Sequence, residues 1–181
     1  MLAPTPPSRA LAPGFSQREF RDALGSFATG VTVVTARAPD GALVGLTANS
    51  FNSVSLSPPL VLWSLARTSS TMAVFSGCTH YAVNVLSVAQ VTLAQQFAAR
   101  GVDRFAGVAH TLGQHGVPLL SGALATFECF NRSQHVEGDH IIFVGEVEHC
   151  HRATPGPLGH TPASGAPLLY HGGKFYTEHP L

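Results

Sequence analysis

Apolar residues recur at helical spacing in only a few short stretches of the chain, and each stretch has its own start signal. Ser16 and Glu19 have the spacing of a capping box, in which a serine and a glutamate satisfy each other's backbone at a helix start. Phe20 and Leu24 then recur on one helical face. We therefore predict a first helix that begins after Ser16 and ends near Gly30.

Two further helices are predicted by the same kind of signal. The segment 87–90, Ser-Val-Ala-Gln, is a second capping box, and an apolar helical pattern follows it as far as Gly101. Ser70 or Thr71 is suited to begin a shorter helix that ends at Gly77.

Most other apolar residues lie in short runs rich in β-branched side chains, which is typical of strands. The predicted strands are 31–36, 43–47, 60–65, 81–86, 124–130, 140–149, 168–170 and 175–176. The run 60–65 is apolar nearly throughout, so we expect both of its faces to be buried. Because strands outnumber helices and no β-α-β alternation is visible, the pattern favours a mainly β antiparallel barrel with two or three peripheral α-helices.

The two segments richest in proline are interpreted as surface elements. Residues 1–14 combine proline and alanine without a continuous apolar stretch, which predicts a flexible arm and not a signal peptide. Residues 15–181 are expected to form one domain. Within it, residues 153–167 are rich in Pro, Gly, Ser and Thr and predict a surface loop.

Composition narrows the class of protein. The 181 residues are 45% hydrophobic and only 11% charged, with a formal net charge of zero. So few charges leave a surface that oligomerisation would cover, and they supply no basic footprint for nucleic acid. No apolar run is long enough to span a membrane. Three cysteines without a CxxC pair indicate a reducing compartment, so we expect a cytoplasmic protein.

Polar side chains interleave with apolar ones in the segment 45–59. Such a wall suits a ligand with a flat apolar ring and a polar rim, although a Ser/Asn-rich turn between strands has the same composition. Arg67, followed by hydroxyl residues at a helix start, suits an anion such as a phosphate, or else is an exposed arginine beside an ordinary cap. His140 begins a strand and either donates a hydrogen bond into a pocket or is a solvated turn residue.

A metal site is not expected from the sequence. His149 and His151 flank Cys150, but on a strand the cysteine points away from both histidines and no partner ligands stand at zinc spacing. No acid–base dyad stands out either, so no catalytic residue is assigned.

Several segments in combination resemble the short-chain flavin reductase family, which has an FMN-binding split barrel and supplies the reductase component of two-component flavin-dependent monooxygenases. The resemblance extends from about Phe20 to Phe175. The matching segments are Phe27-Ala-Thr-Gly-Val-Thr-Val-Val-Thr35, Leu46-Thr-Ala-Asn-Ser-Phe51, Val54-Ser-Leu-Ser-Pro-Pro59, Arg67-Thr-Ser-Ser-Thr71, Val83-Asn-Val-Leu86, Asp103-Arg-Phe105, Pro118-Leu-Leu120 and Gly138-Asp-His140.

The resemblance implies a split, Greek-key β-barrel and a role for each matching polar residue. Thr47, Ala48, Asn49 and Ser50 would hold the isoalloxazine and ribityl chain of the flavin, with Ser53 and Ser55 lining the same pocket. Arg67, Ser69, Ser70 and Thr71 would meet the flavin phosphate, and His140 would stand near the nicotinamide. The protein would position its ligands, because the flavin carries the redox chemistry.

The implied activity is reduction of FMN or FAD by NADH or NADPH, with the reduced flavin passed to a separate oxygenase component. The family also implies a homodimer with flavin sites near the subunit interface. Two alternatives are kept: a non-enzymatic flavin carrier on the same barrel, and a flavoprotein with tightly held FMN that reduces another substrate.

Overall fold

A computed structural model of the chain describes residues 13–153 and 165–178. Most of the predicted arm 1–14 and most of the predicted loop 153–167 lie outside these residues. Three α-helices are present among them, together with a short 3-10 turn at Val88–Gln90. The helices are α1 (Gln17–Gly25), α2 (Met72–Gly77) and α3 (Val91–Ala98).

The first helix begins where the sequence predicts. The backbone N–H of Glu19 donates to Ser16 Oγ at 3.2 Å, and the N–H of Ser16 donates to a Glu19 carboxylate oxygen at 2.8 Å, which completes the capping box. The helix ends at Gly25, however, so the predicted end at Gly30 is wrong. Gly30 instead pairs with Leu169 in a strand, and pairing across the chain overrides the local helical pattern.

The predicted starts of the other two helices are confirmed. Ser87 and Gln90 form the second capping box around the 3-10 turn that leads into α3. Thr71 stands at the start of α2, but its hydroxyl makes no cap bond. That hydroxyl lies 3.0 Å from Ser69 Oγ.

Strands make up nearly half of the described chain. They are β1 (Thr29–Gly30), β2 (Thr32–Arg37), β3 (Leu43–Ala48), β4 (Asn52–Leu56), β5 (Pro59–Ala66), β6 (His80–Val85), β7 (His110–Leu112), β8 (Pro118–Leu120), β9 (Ala125–Glu137), β10 (His140–Arg152), β11 (Leu168–His171) and β12 (Lys174–Thr177). The eight predicted runs are all present, whereas β1, β4, β7 and β8 were not predicted as strands.

The main sheet has seven antiparallel strands in the order β3-β2-β6-β9-β10-β5-β4. Its two outer strands follow each other in the chain, yet no ladder joins them among the described residues, so the barrel is split at this point. A three-stranded sheet, β1-β11-β12, and the pair β7-β8 lie beside it. The predicted mainly β split barrel with peripheral helices is confirmed.

The barrel core is built around one tryptophan. Trp63 is fully buried, stacks on Phe143 with ring centroids 4.7 Å apart, and receives the edges of Phe75 and Tyr81 at 5.0 and 5.6 Å. Such offset and edge-on pairs are the favoured arrangements of aromatic rings. They fix β5, β6, β10 and α2 against one another.

Strand β5 is buried on one face only, which corrects the prediction for 60–65. Val61, Trp63 and Leu65 are buried, whereas Leu60 and Leu62 between them are partly exposed. The reason is that an antiparallel sheet needs cover on only one face. Strand β5 therefore presents a half-exposed apolar row on its outer side.

A second core holds α3 to the barrel and to the small sheet. Phe97 of α3 packs with Val31, Leu86 and Leu168, all of them buried. This packing lays α3 along β3, where the cleft described below opens. Among the described residues no helix is long and apolar enough to cross a membrane.

Candidate functional site

A cleft runs along the side of α3 that faces the end of β3. It consists of two adjoining cavities, of about 520 and 530 Å³, which share Thr47 and Ala98 in their walls. Cavities of this size are typical of small-molecule sites. The two ends of the cleft differ in chemistry.

The first end is mainly apolar and aromatic. Val31, Tyr170 and Phe175 line it, with Asn49 and Gln95 as its polar side chains. Tyr170 and Phe175 are cross-strand partners in β11 and β12, with ring centroids 5.6 Å apart. A flat ring system with hydrogen-bonding edges is the kind of ligand that such walls accept.

The second end combines hydroxyl groups with two arginines. Ser69 and Ser70 line it on one side, and Arg100 and Arg104 on the other. Serine hydroxyls and guanidinium groups are donors to phosphate oxygens. This end of the cleft is therefore suited to an anion.

Arg104 is fixed by the backbone around it. Its Nε–H donates to the carbonyl of Ala99 at 2.9 Å and an Nη–H donates to the carbonyl of Gly45 at 2.8 Å. A guanidinium carries five N–H donors, so several are left for a ligand. Burial and the neighbouring positive charge of Arg100 lower the pKa of Arg104, and an anion between the two arginines would relieve that repulsion.

Two hydroxyl groups hold the end of β3, which forms one wall of the cleft, in place. Thr47 Oγ1 donates to the carbonyl of Ala94 at 2.6 Å and so ties β3 to α3. Ser50 Oγ accepts from the N–H of Ser64 at 2.9 Å and donates to its carbonyl at 3.2 Å, joining the end of β3 to β5. Asn49, between these anchored residues, is exposed and lines the cleft.

Comparison with known proteins identifies the family of the chain. Residues 24–179 match the family model described as the flavin reductase like domain. The chain belongs to this family. Its resemblance to short-chain flavin reductases, predicted from the sequence, is thereby confirmed.

Two curated relatives illustrate the similarity of this flavin reductase chain. It is 47% identical over 163 residues to "FMN reductase (NADH) SmoA" of Agrobacterium fabrum. That alignment covers 90% of this chain and 86% of that protein. It is 42% identical over 160 residues to the reductase component of the flavin-dependent trigonelline monooxygenase of Acinetobacter baylyi, covering 88% of this chain but 48% of that protein.

A solved structure shares the fold. The NADH:FAD oxidoreductase of Streptomyces globisporus, determined with NAD and FAD fragments, superposes with a TM-score of 0.80 at 38% identity and covers 91% of this chain and 93% of that one. The predicted enzyme class, a flavin reductase that uses flavin and a nicotinamide nucleotide, is confirmed by these similarities.

The cleft brings together four of the residues singled out in the sequence of this flavin reductase. Thr47 and Asn49 lie near the aromatic end, and Ser69 and Ser70 lie at the arginine end. Thr71 is buried and lines a smaller adjoining cavity together with Ser70. Their predicted roles toward isoalloxazine and phosphate stay predictions.

Six other predicted site residues lie outside the walls of the cleft. Ala48 is buried. Ser50 uses its hydroxyl on the backbone of Ser64. The remaining four are Ser53 and Ser55 on the outer strand β4, and Arg67 and His140 beside the β9–β10 turn.

Arg67 and His140 are neighbours at the same turn. Arg67 donates its backbone N–H to the carbonyl of Asp139 at 2.9 Å, and its exposed side chain reaches the carbonyl of Gly138 at 3.5 Å. His140 Nδ1 lies 2.7 Å from an Asp139 carboxylate oxygen, and this hydrogen bond lowers the pKa of Asp139. Their predicted contacts with phosphate and nicotinamide stay predictions.

The sequence analysis missed the residues that complete the cleft. Arg100, Tyr170 and Phe175 were named only as parts of predicted elements, and Arg104 only as part of a family segment. The segment Asp103-Arg-Phe105 was a signal for Arg104, because an arginine that follows a helix end can fold back on that helix. No local signal marks the other three, since they reach the cleft through tertiary packing.

Proposed function

We propose that this flavin reductase holds its flavin along the cleft, with the isoalloxazine at the aromatic end and the phosphate at the arginine end. The observation that carries the proposal is the pairing of Arg100 and Arg104 with Ser69 and Ser70 at one end only. Two positive groups that repel each other beside serine hydroxyls favour a bound phosphate. Asn49 at the aromatic end, and Thr47 where the two cavities meet, supply polar contacts for the ring edge.

The residues of the cleft act by binding and orientation. Flavin, when bound, accepts the hydride of the nicotinamide nucleotide, which is chemistry that no side chain has to supply. Thr47 and Ser50 hold the end of β3 in place, and Tyr170 and Phe175 exclude water from one wall. Holding two bound ring systems in a reactive geometry lowers the entropic part of the activation barrier.

We infer that NADH is the physiological reductant and that the reduced flavin leaves for a separate oxygenase. The names of similar proteins support both points, since one is an NADH-dependent FMN reductase and another is the reductase component of a monooxygenase. The cleft is open to solvent along α3, where Ala98 and Arg100 are exposed, which suits a ligand that enters and leaves.

A turnover experiment tests this proposal. The purified chain is mixed with NADH or NADPH and with FMN, FAD or riboflavin, and nucleotide oxidation is followed by absorbance. We expect saturable dependence on added FMN or FAD, with NADH the faster donor. Turnover that does not respond to added flavin would indicate a tightly held prosthetic group, and no turnover at all would indicate a carrier.

We further propose that the protein is a homodimer. The apolar side chains Phe20, Leu24 and Phe27 at α1 are 50%, 57% and 76% exposed, and Leu56 of β4 is 94% exposed. A second copy that covers these faces would remove apolar area from water, and a stable interface buries roughly 1,200–2,000 Å² in total. Light scattering at micromolar concentration checks the mass, and a monomer of 19.0 kDa would contradict the proposal.

A further inference from the structure

A second cluster of chemical groups lies away from the cleft. His80, His115 and Glu148 direct their side chains to one point, where the Nε2 atoms of His80 and His115 lie 3.2 and 3.1 Å from the same Glu148 oxygen. Both histidines line a cavity of about 210 Å³ that shares no residue with the walls of the cleft. We propose that these three side chains form a binding site for Zn²⁺.

The distances between the three ligand atoms are close to those that a metal requires. All three atoms lie within 4.8 Å of one another. Zinc bonds of about 2.0–2.2 Å to imidazole nitrogen and carboxylate oxygen place tetrahedral ligand atoms roughly 3.4 Å apart. Small movements of the side chains would therefore let one ion replace the close nitrogen–oxygen contacts of the cluster, with water completing its coordination.

The backbone brings Glu148 to this point through an irregularity in the sheet. Val147 pairs with Cys129 and His149 with Glu128, so Glu148 is an extra residue in strand β10. Such a β-bulge changes the direction in which the side chain projects. His80 stands at the start of β6, within reach of the redirected carboxylate.

The third ligand comes from the turn between β7 and β8, and that turn is anchored. The N–H of Gln114 donates to a carboxylate oxygen of Glu128 at 2.8 Å, and Gly113 and Val117 close the turn with a 2.9 Å backbone hydrogen bond. His115 between them stacks on His80 with ring centroids 3.6 Å apart and planes within 5°. Nearly parallel rings direct both Nε2 atoms the same way, so binding requires a tilt of His115, which is exposed and has room to move.

The surroundings of the cluster support a cation. His80 Nδ1 lies 3.0 Å from the hydroxyl oxygen of Thr79, and an Nδ1–H donated to that oxygen leaves Nε2 unprotonated, as a metal ligand must be. Arg37 is the positive side chain at the same cavity. The carboxylates of Glu128 and Glu148 provide two negative groups near the cluster, compared with the one positive guanidinium of Arg37.

The test is a titration of the full, untagged chain with ZnCl₂ by calorimetry at pH 7.5. We expect one ion per cluster and a loss of affinity of about tenfold or more in His115→Ala and in Glu148→Ala, by analogy with the cost of disturbing supported metal ligands. Thr79→Val should weaken binding less than either. Cobalt substitution should give visible absorption bands in the wild type that both ligand variants lose.

His151→Ala is the matched control, since it removes an exposed histidine of the same strand outside the cluster. Circular dichroism and flavin reductase turnover check that each variant is folded. Equal zinc affinity in the wild type, His115→Ala and Glu148→Ala would overturn the proposal, as would weak binding that only the His151→Ala variant loses.

Discussion

Gly45 of β3 lies so close to Phe97 of α3 that a Cβ atom built on the glycine would stand 2.5 Å from Cε1 of the ring. The carbonyl of the same glycine accepts a hydrogen bond from Arg104 at 2.8 Å. One backbone position therefore sets both how closely α3 approaches the barrel and where an arginine of the cleft stands.

Gly45→Ala should push α3 away from β3 and widen the cleft. Because overpacking a buried contact costs about 1–3 kcal/mol, we expect that loss in the free energy of unfolding together with weaker flavin binding. Urea unfolding and flavin titration measure the two effects. Gly77→Ala is the control, since nothing lies within 4 Å of the added Cβ there, and Gly45→Ala/Phe97→Leu should recover part of the loss.

Arg100→Ala should weaken FMN binding and leave riboflavin binding nearly unchanged. A charge-assisted hydrogen bond is worth about 1.5–3 kcal/mol, so FMN affinity should fall by about tenfold or more. Riboflavin lacks the phosphate and serves as the ligand control. Arg100 is the better residue to test than Arg104, whose guanidinium also holds the backbone of Gly45 and Ala99.

The same titration with Arg67→Ala decides between two positions for the phosphate. The sequence resemblance assigns that contact to Arg67, whereas the cleft presents Arg100 and Arg104. A loss specific to FMN in Arg67→Ala alone would move the phosphate toward the β9–β10 turn and contradict the proposed orientation.

His140→Ala should raise the KM for the nicotinamide nucleotide and slow hydride transfer while flavin affinity stays the same. One neutral hydrogen bond is worth about 0.5–1.5 kcal/mol, which corresponds to roughly a three- to tenfold effect. Stopped-flow reduction at saturating flavin is the measurement. The imidazole already has a partner in Asp139, so a histidine that serves only that turn would leave the nucleotide kinetics unaltered.

The protein should lose stability as the pH rises above about 9. Burial, with the charges of Glu148 and Glu128 adding to it, raises the pKa of Cys129 from 9.0 to about 12, and burial likewise raises the pKa of Tyr81 above 10.0. Both groups therefore release their protons at lower pH in the unfolded chain than in the folded one. Proton release then favours unfolding, and each group adds a slope of up to about 1.4 kcal/mol per pH unit.

Urea unfolding at pH 8 and at pH 10.5 measures the free energy of unfolding below and above the pH at which the loss begins. Tyr81→Phe removes one of the titrating groups and should flatten the dependence on pH. A loss of stability that is as steep in Tyr81→Phe as in the wild type would show that the tyrosine does not contribute.

The features that were predicted correctly depend on neighbouring residues in the chain. The capping boxes at Ser16 and Ser87 need only residues three positions apart, and both are present. Strand β4 was missed because Asn52, Ser53 and Ser55 are polar, and an outer strand that is exposed along most of its length does not need an apolar pattern. The end of the first helix was predicted too late in the chain because Gly30 pairs with Leu169 in a strand.

In the candidate site, too, local sequence signals mark some residues, whereas tertiary packing brings in the others. Thr47, Asn49, Ser69 and Ser70 were found because each stands in a short polar segment beside an apolar strand. Arg100 lines the same end of the cleft as Ser69 only because α3 packs along β3, so their placement together is a product of tertiary structure. The convergence of His80, His115 and Glu148 was invisible for a similar reason, since a bulge far along the chain turns the carboxylate toward the imidazoles.

The aromatic wall of the cleft has a consequence for protection of the backbone. Tyr170 and Phe175 belong to the small sheet, whose only other strand among the described residues is the two-residue β1, whereas Thr47 across from them belongs to the seven-stranded sheet. A ligand between these walls would contact strands of two different sheets, which only a few backbone hydrogen bonds, such as that from Val31 N–H to the carbonyl of Leu168, join among the described residues. Flavin bound in the proposed orientation should therefore slow amide hydrogen exchange in β11 and β12 more than exchange in the barrel, because the small sheet has fewer strands to protect its amides.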